Sequence, residues 1–136
     1  MKNLLKKVRG DKKGFTLAEL LVVVAIVGIL VAISVPLFTA QLGKARQATN
    51  NANLRAAKIA AVAEYLTENS GDHVSECKYQ YDISSGSIST STVTLKDDDK
   101  ISINGESVSK TTVYKNIYVT VKGTDTKDAV VQLYAN

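Results

Sequence analysis

Hydrophobic positions along this chain change their rhythm twice. From Leu20 to Ile33 (LLVVVAIVGILVAI) there is no period at all: fourteen uncharged, almost wholly aliphatic residues follow one another. From Thr39 to Glu68 apolar residues return at three- and four-residue spacings: Leu42, Ala45, Ala48 or Thr49, Ala52, Ile59, Val62 or Ala63, and Leu66. This spacing predicts one face of an amphipathic helix. From Asp72 onward the period falls to two, as in Ala129, Val131 and Leu133, which predicts strands. Breakers are almost missing between residue 15 and the stop signal Glu68-Asn69-Ser70-Gly71. The first two stretches therefore predict a single helix over residues 15–71, with Gly71 closing its C-terminus. Roughly 55 residues of helix would measure about 80 Å, longer than any 14.6 kDa globule. Such a helix must project, cross a membrane or assemble with copies of itself.

Its two halves differ in kind. Leu17–Phe38 amounts to 22 residues, about 33 Å of helix and enough to cross a hydrocarbon core. Gly28 and Pro36 weaken that half. Proline has no N–H and clashes with the carbonyl four residues back, so a kink or local opening is expected between Ala32 and Pro36. The second half, residues 39–71, is slimmer: eight of the nineteen residues from Ala45 to Ala63 are alanine. That composition favours helix and lets both the protein's own sheet and neighbouring helices approach closely.

In the remaining 72–136 segment, strands are expected at Lys78–Ile83, within the Ser/Thr-rich run that ends in Val93–Leu95, and at Lys100–Ile103, Thr111–Lys122 and Ala129–Tyr134. Asn104-Gly105 is the strongest short hairpin signal in the chain, and a turn is expected at Gly123-Thr124-Asp125. Ser84–Thr94, with eight hydroxyl residues in eleven, reads as an exposed strand or loop. Four to five antiparallel strands make a thin core by themselves, and the amphipathic helix half is the one element able to cover them. The expected class is α+β: a long N-terminal helix whose hydrophobic half projects and whose amphipathic half packs on a small antiparallel sheet.

Charge divides the chain again. The whole carries +4, yet residues 1–14 hold six Lys/Arg against Asp11, or +5, leaving −1 for residues 15–136. A basic leader before an apolar helix fits a cytoplasmic flank under the positive-inside rule. The near-neutral remainder gives no sign of a nucleic-acid-binding body. Cys77 alone makes no internal disulfide, and Cys77 with His73 has no metal-site spacing. Asp97-Asp98-Asp99 reads as a solvated turn, because a calcium loop would need an oxygen ligand where Ile101 stands and a glycine where Ser102 stands. No phosphate loop, HExxH or GxSxG sequence occurs. The chain reads as a non-enzyme, with no cofactor and no metal. Lys44, Arg55 and Lys58 lie near one helical face, either as a solvated stripe or as partners for acids of other subunits such as Glu64, Glu68 or Asp97–Asp99.

Across the join between leader and helix runs Lys12-Lys13-Gly14-Phe15-Thr16-Leu17-Ala18-Glu19-Leu20. This resembles the prepilin processing site of type IV pilins and pseudopilins: a basic residue and glycine, then F-T-L, a variable residue, glutamate and an apolar helix bearing a proline. The resemblance covers residues 1 to about 45 and implies a pilin-like fold. It implies cleavage between Gly14 and Phe15 by a membrane-embedded prepilin peptidase and N-methylation of Phe15. It further implies assembly through Phe15 and Glu19, and loss of helix between Gly28 and Pro36 in the filament. The implied partners are further copies of the chain, an assembly ATPase with its membrane platform, and minor pilins. The implied course runs from a single-pass cytoplasmic-membrane precursor to a pilus on the cell surface.

The physics of Glu19 stands apart from the resemblance. A carboxylate within a membrane helix costs about 2.5–3.5 kcal/mol on insertion scales. A cleaved chain would carry a positive amine on Phe15, and the Glu19 of one subunit can neutralise that amine on its neighbour in a dry bundle.

Two rivals stay open. One is a pseudopilin of a type II secretion or competence DNA-uptake system, although the Tyr-Pro motif and calcium loop of the major secretion pseudopilins are missing. The other is a secreted binding domain in which Leu20–Ile33 is a signal-peptide core cut near Ala40. That rival leaves Glu19 and the Gly14-Phe15 junction without a role.

Overall fold

The computed structural model of the protein describes residues 14–68, 75–123 and 129–136. The basic leader up to Lys13, Gly71, His73, the 71/72 boundary and most of the expected turn at Gly123-Thr124-Asp125 lie outside the described residues. The chain forms two compact units, Met1–Ala40 and Gln41–Asn136. Helix α1 (Leu17–Glu68) is assigned without a break. Within the first unit it is apolar and exposed on every side from Leu17 to Ala40. The local opening expected between Ala32 and Pro36 is not seen, and the helical run passes through Gly28 and Pro36 alike. Two hydroxyls bond to helix carbonyls beside the proline: Ser34 Oγ donates to Leu30 O (2.6 Å) and Thr39 Oγ1 to Pro36 O (2.9 Å).

The second unit pairs the rest of α1 with five strands: β1 (Glu76–Tyr81), β2 (Ile88–Thr90), β3 (Lys100–Ile101), β4 (Ile117–Lys122) and β5 (Val130–Ala135). Their order across the sheet is β2-β1-β4-β5-β3, with every neighbouring pair antiparallel. Register places Val119 between Tyr79 and Leu133, and Ile117 between Tyr81 and Ala135. The alternation of a strand then gathers Tyr79, Ile117, Val119, Val121 and Leu133 on one face, where they join Leu54, Ala57, Ala61 and Tyr65 of α1 in a single core. The expected α+β architecture is the one observed.

Three details differ from the sequence reading. The helix face that meets the sheet is Asn50, Leu54, Ala57, Ala61 and Tyr65, whereas Leu42, Ile59 and Leu66 stay exposed. Ala57 and Ala61 are fully buried in the core, with Leu54 and Tyr65 buried on either side of them along the helix.

The second difference concerns Asn104-Gly105. The turn forms, with Asn104 in the left-handed region (φ 60°) and Gly105 N–H donating to Ser102 O at 2.9 Å. The strand after it does not fold back on β3. Residues 107–116 are irregular and β3 pairs instead with β5, Ile101 opposite Leu133. The cause lies on the helix. Asn50, fully buried, donates from Nδ2 to Ser109 O (3.0 Å) and Thr112 O (2.9 Å) and accepts from Tyr114 N–H (3.0 Å). Those bonds satisfy the loop's backbone groups locally, so the strand begins at Ile117 rather than Thr111.

Third, the hydroxyl-rich run holds one short strand, Ile88–Thr90, inside the Ser84–Thr94 stretch expected as exposed strand or loop, and its end at Val93–Leu95 is irregular. That strand pairs with β1 around a loop held by Asp82, and the residues after it carry the chain from the β2 edge to the opposite, β3 edge. Asp97–Asp99 form one 3-10 turn leading into β3.

Candidate processing and assembly site

Gly14, Phe15 and Thr16 lie outside the helix, which begins at Leu17. The reason is local and chemical. The Thr16 carbonyl accepts the first helical bond, from Leu20 N–H at 3.2 Å. Its side-chain Oγ1 accepts from Glu19 N–H at 3.2 Å, and Glu19 Oε2 accepts from Thr16 N–H at 2.9 Å. This is a capping box: two backbone donors that the helix start leaves unpaired are satisfied reciprocally. Acidic Glu19 in the first turn also faces the positive end of the helix dipole. The signal was present in the sequence as Thr16-Leu17-Ala18-Glu19, a Ser/Thr-x-x-Glu pattern before an apolar run. Thr16 is the residue that sequence reasoning passed over.

The Gly14-Phe15 junction therefore precedes the cap, with Phe15 89% exposed. Glu19 is the sole charged residue between Phe15 and Gly43. Phe15, Ala18, Val22 and Val23 surround it with apolar surface on an open hollow of the helix. The structure thus brings Phe15 and Glu19 together at one helix end. Gly28 and Pro36 stand further along the same apolar segment, away from that end. A side chain at Gly28 would meet nothing within 4 Å, so packing within the subunit does not require glycine there. By length and composition α1 is able to cross a membrane, its most apolar window having a mean hydropathy of 3.0.

The second unit offers no competing chemical centre among the described residues. No group of three or more His, Cys, Asp or Glu side chains is placed to hold a metal ion there. Cys77 is half-buried on β1. Tyr79 is buried beside it and donates its hydroxyl to Glu68 Oε2 at 3.2 Å; burial first, then the neighbouring Cys77 and Glu68, push its ionisation well above the usual tyrosine range. Tyr65 Oη accepts from Gly123 N–H (3.1 Å) and donates to Ser75 O (3.3 Å), joining the end of α1 to the start of β1 and the end of its neighbour β4. These are structural bonds that close a core. Lys44, Arg55 and Lys58 are all exposed, and Arg55 Nη2 donates to Asn104 Oδ1 at 3.2 Å.

Comparison with known families finds one match, to the prokaryotic N-terminal methylation motif, over residues 9–35. No curated protein and no solved structure matches the chain. The matched segment holds the Gly14-Phe15 junction, the Thr16–Glu19 cap and the apolar helix up to Val35. The chain thus carries the N-terminal methylation motif characteristic of the precursors of type IV pilins and pseudopilins.

Proposed function

We propose that this protein is the major structural subunit of a type IV pilus, made as a membrane precursor, cut after Gly14 and polymerised through its N-terminal helix. One observation carries the reading: a single carboxylate, Glu19, stands four residues from the junction that would yield an amine, at the exposed end of the apolar half of the helix, which holds no other charge up to Gly43. An isolated carboxylate there is costly in hydrocarbon, and a neighbour's Phe15 amine is the countercharge that processing creates. Paired in a dry bundle, the two charges offset each other's desolvation.

Each residue takes a role under this proposal. Gly14 and Phe15 are the two sides of the scissile bond, and Phe15 receives the methyl group. Glu19 recruits the incoming subunit. Gly28 and Pro36 let the helix open in the filament. A prepilin peptidase, an assembly ATPase with its platform and minor pilins act on the chain, which moves from the cytoplasmic membrane to the cell surface. The small sheet domain has no catalytic role.

Mass spectrometry of the N-terminal peptide from material sheared off intact cells tests the proposal. The expected peptide begins at N-methylated Phe15 in a high-mass fraction. The same peptide confined to the membrane would indicate a short pseudopilin assembly. A start near residue 41 in a soluble monomer would overturn the pilin reading.

A further inference from the structure

The sheet covers one face of the outer part of α1 and leaves an aliphatic face bare. Ile59 is 70% exposed and Leu66 59% exposed, although both sit on a helix whose adjacent face is fully packed. With Val62 and Ile103 they form the walls of an open groove of about 640 Å³, and Arg55 and Lys58 stand on its rim. Ile103 enters the groove from the segment just after β3, so helix and head both contribute. Isolated exposed aliphatics are ordinary on a protein surface, but a contiguous apolar groove rimmed by charge marks a contact site.

The rim indicates what the groove receives. It is cationic, and its occupant must bring both negative charge and an aliphatic side chain. The chain itself displays that pair. Asp97 and Asp98 are exposed on the 3-10 turn before β3, and Val93, 46% exposed, stands a few residues ahead of them. Three other carboxylates are already engaged within the subunit: Asp82 by Ser84, Asp99 by Asn136, and Glu68 by Tyr79. Lys96 and Lys100 flank the turn from extended backbone on either side, which leaves its tip acidic.

We propose that the groove is the seat of a second copy of this chain, whose Val93–Asp98 segment docks with Val93 against Ile59 and Leu66 and with Asp97 and Asp98 facing Arg55 and Lys58. The groove and the segment that fills it are different residues of one chain, so the contact is able to repeat from copy to copy along a fibre. It rests on the fibre reading above and adds to it a lateral contact between heads, independent of the Phe15–Glu19 pairing.

Charge exchange in the full chain, expressed in the cells that make it, tests the contact. Lys58 and Asp98 are exposed and neither bonds to another described residue, so Lys58→Glu and Asp98→Lys are expected to leave the fold intact; circular dichroism of detergent-solubilised subunit checks this. Each single reversal is expected to lower sheared-fibre yield roughly tenfold, the effect of one like-charge contact per interface. The double reversal is expected to restore it. Ile59→Asp is expected to lower the yield without rescue by either change. In wild-type fibres a zero-length carbodiimide cross-link is expected to give a dimer band containing a Lys58–Asp97 or Lys58–Asp98 peptide pair.

Fibres that form normally with both single reversals and yield no such peptide would overturn this contact while leaving the pilus reading intact. Cross-links from Lys58 to acids of a different protein would overturn it in favour of a foreign partner. Wild-type cells without fibres or dimers would remove both readings together.

Discussion

Thr16 and Glu19 hold each other's backbone: Thr16 N–H donates to the Glu19 carboxylate at 2.9 Å, and Glu19 N–H donates to the Thr16 hydroxyl at 3.2 Å. The carboxylate proposed to recruit a neighbour is therefore already ordered within its own subunit. One oxygen, Oε2, serves the cap, and the second oxygen of the group remains available to an incoming amine.

Thr16→Ala removes the hydroxyl half of the cap and is expected to cost about 1 kcal/mol of helix-end stability. Thr16→Ser retains it. Amide exchange of the full chain in detergent checks this: Glu19 N–H and its neighbours should exchange several-fold faster in Thr16→Ala and at the wild-type rate in Thr16→Ser. Equal rates in all three proteins would mean the cap does not order the helix start.

Asn50 governs the other irregular part of the molecule. Its amide satisfies two carbonyls and one N–H of the 109–114 loop from a fully buried position. Asn50→Leu would leave three backbone groups without partners, at about 1–3 kcal/mol for each that water cannot reach. A fall in the thermal midpoint of the order of 10 °C is expected, since 1 kcal/mol shifts a domain of this size by roughly 4–8 °C. Asn50→Asp keeps the acceptor for Tyr114 N–H but turns a negative charge toward two carbonyls. It should be as destabilising at neutral pH and should recover part of the loss when acidified. A thermal midpoint unchanged in both variants would mean that the loop stands without the clamp.

The N-terminal segment was legible in the sequence because its signals are local. The Gly14-Phe15 junction, Glu19 and the unbroken apolar run each declare themselves over a few residues, and helix and motif lie where those signals put them. The sheet class was legible too, since period-two patterning and turn residues are local. The helix face was not. Leu42, Ile59 and Leu66 outweigh Ala57 and Ala61 on any hydrophobic scale, yet it is Ala57 and Ala61 that share the core with strand residues distant in sequence. The strand order was not legible either. Asn104-Gly105 does turn the chain, but β3 pairs with β5, and the 109–114 stretch after the turn is bonded to Asn50 across 59 to 64 residues of sequence. Asn50 looked like a polar residue on an exposed helix. The one cue available was its run with Leu54, Ala57, Ala61 and Tyr65 at steps of four, three, four and four residues.

At the far end of the helix, Tyr79 binds Glu68 from a buried position, and its ionisation is displaced upward by burial, by Cys77 and by Glu68. A folded-state value above the unfolded value, near 10, means that this tyrosine's contribution is whole below about pH 10 and is lost as the pH climbs beyond it. Alkaline unfolding of the wild type should accelerate above that point. Tyr79→Phe should flatten this part of the profile while lowering stability at neutral pH through loss of the bond to Glu68. Parallel alkaline profiles for the two proteins, followed by circular dichroism, would contradict the assignment.

Asp82 is displaced in the opposite sense. Its Oδ1 accepts from Ser84 Oγ (2.6 Å) and from the Ser84 and Ser85 N–H groups (2.8 and 3.4 Å), which hold its carboxyl below the usual range. The loop's support is present above the ordinary aspartate value, about 4, and fades as the pH falls through the lower folded value. The amide resonances of Ser84 and Ser85 should move with a midpoint below that of an unstructured aspartate. A midpoint at the ordinary value would show that these bonds do not form in solution.

Gly28 and Pro36 separate what the subunit needs from what a filament needs. In the subunit the helix passes through both, and a side chain at Gly28 meets nothing within 4 Å. Gly28→Ala should therefore raise helix stability by about 1 kcal/mol, and Pro36→Ala by about 3 kcal/mol, on intrinsic propensity alone. If the pair served only the isolated chain, the double variant would be a better protein: more helical in detergent and no worse in fibres. Under the proposed opening of the helix on assembly, the same stabilisation opposes polymerisation. Higher helicity of the purified subunit should then accompany a fibre yield reduced at least tenfold, with processing at Gly14 unaffected. Helicity by circular dichroism and sheared-fibre mass, measured on one set of cells, decide between the two. A double variant that assembles like the wild type would leave the breakers without a role in the filament.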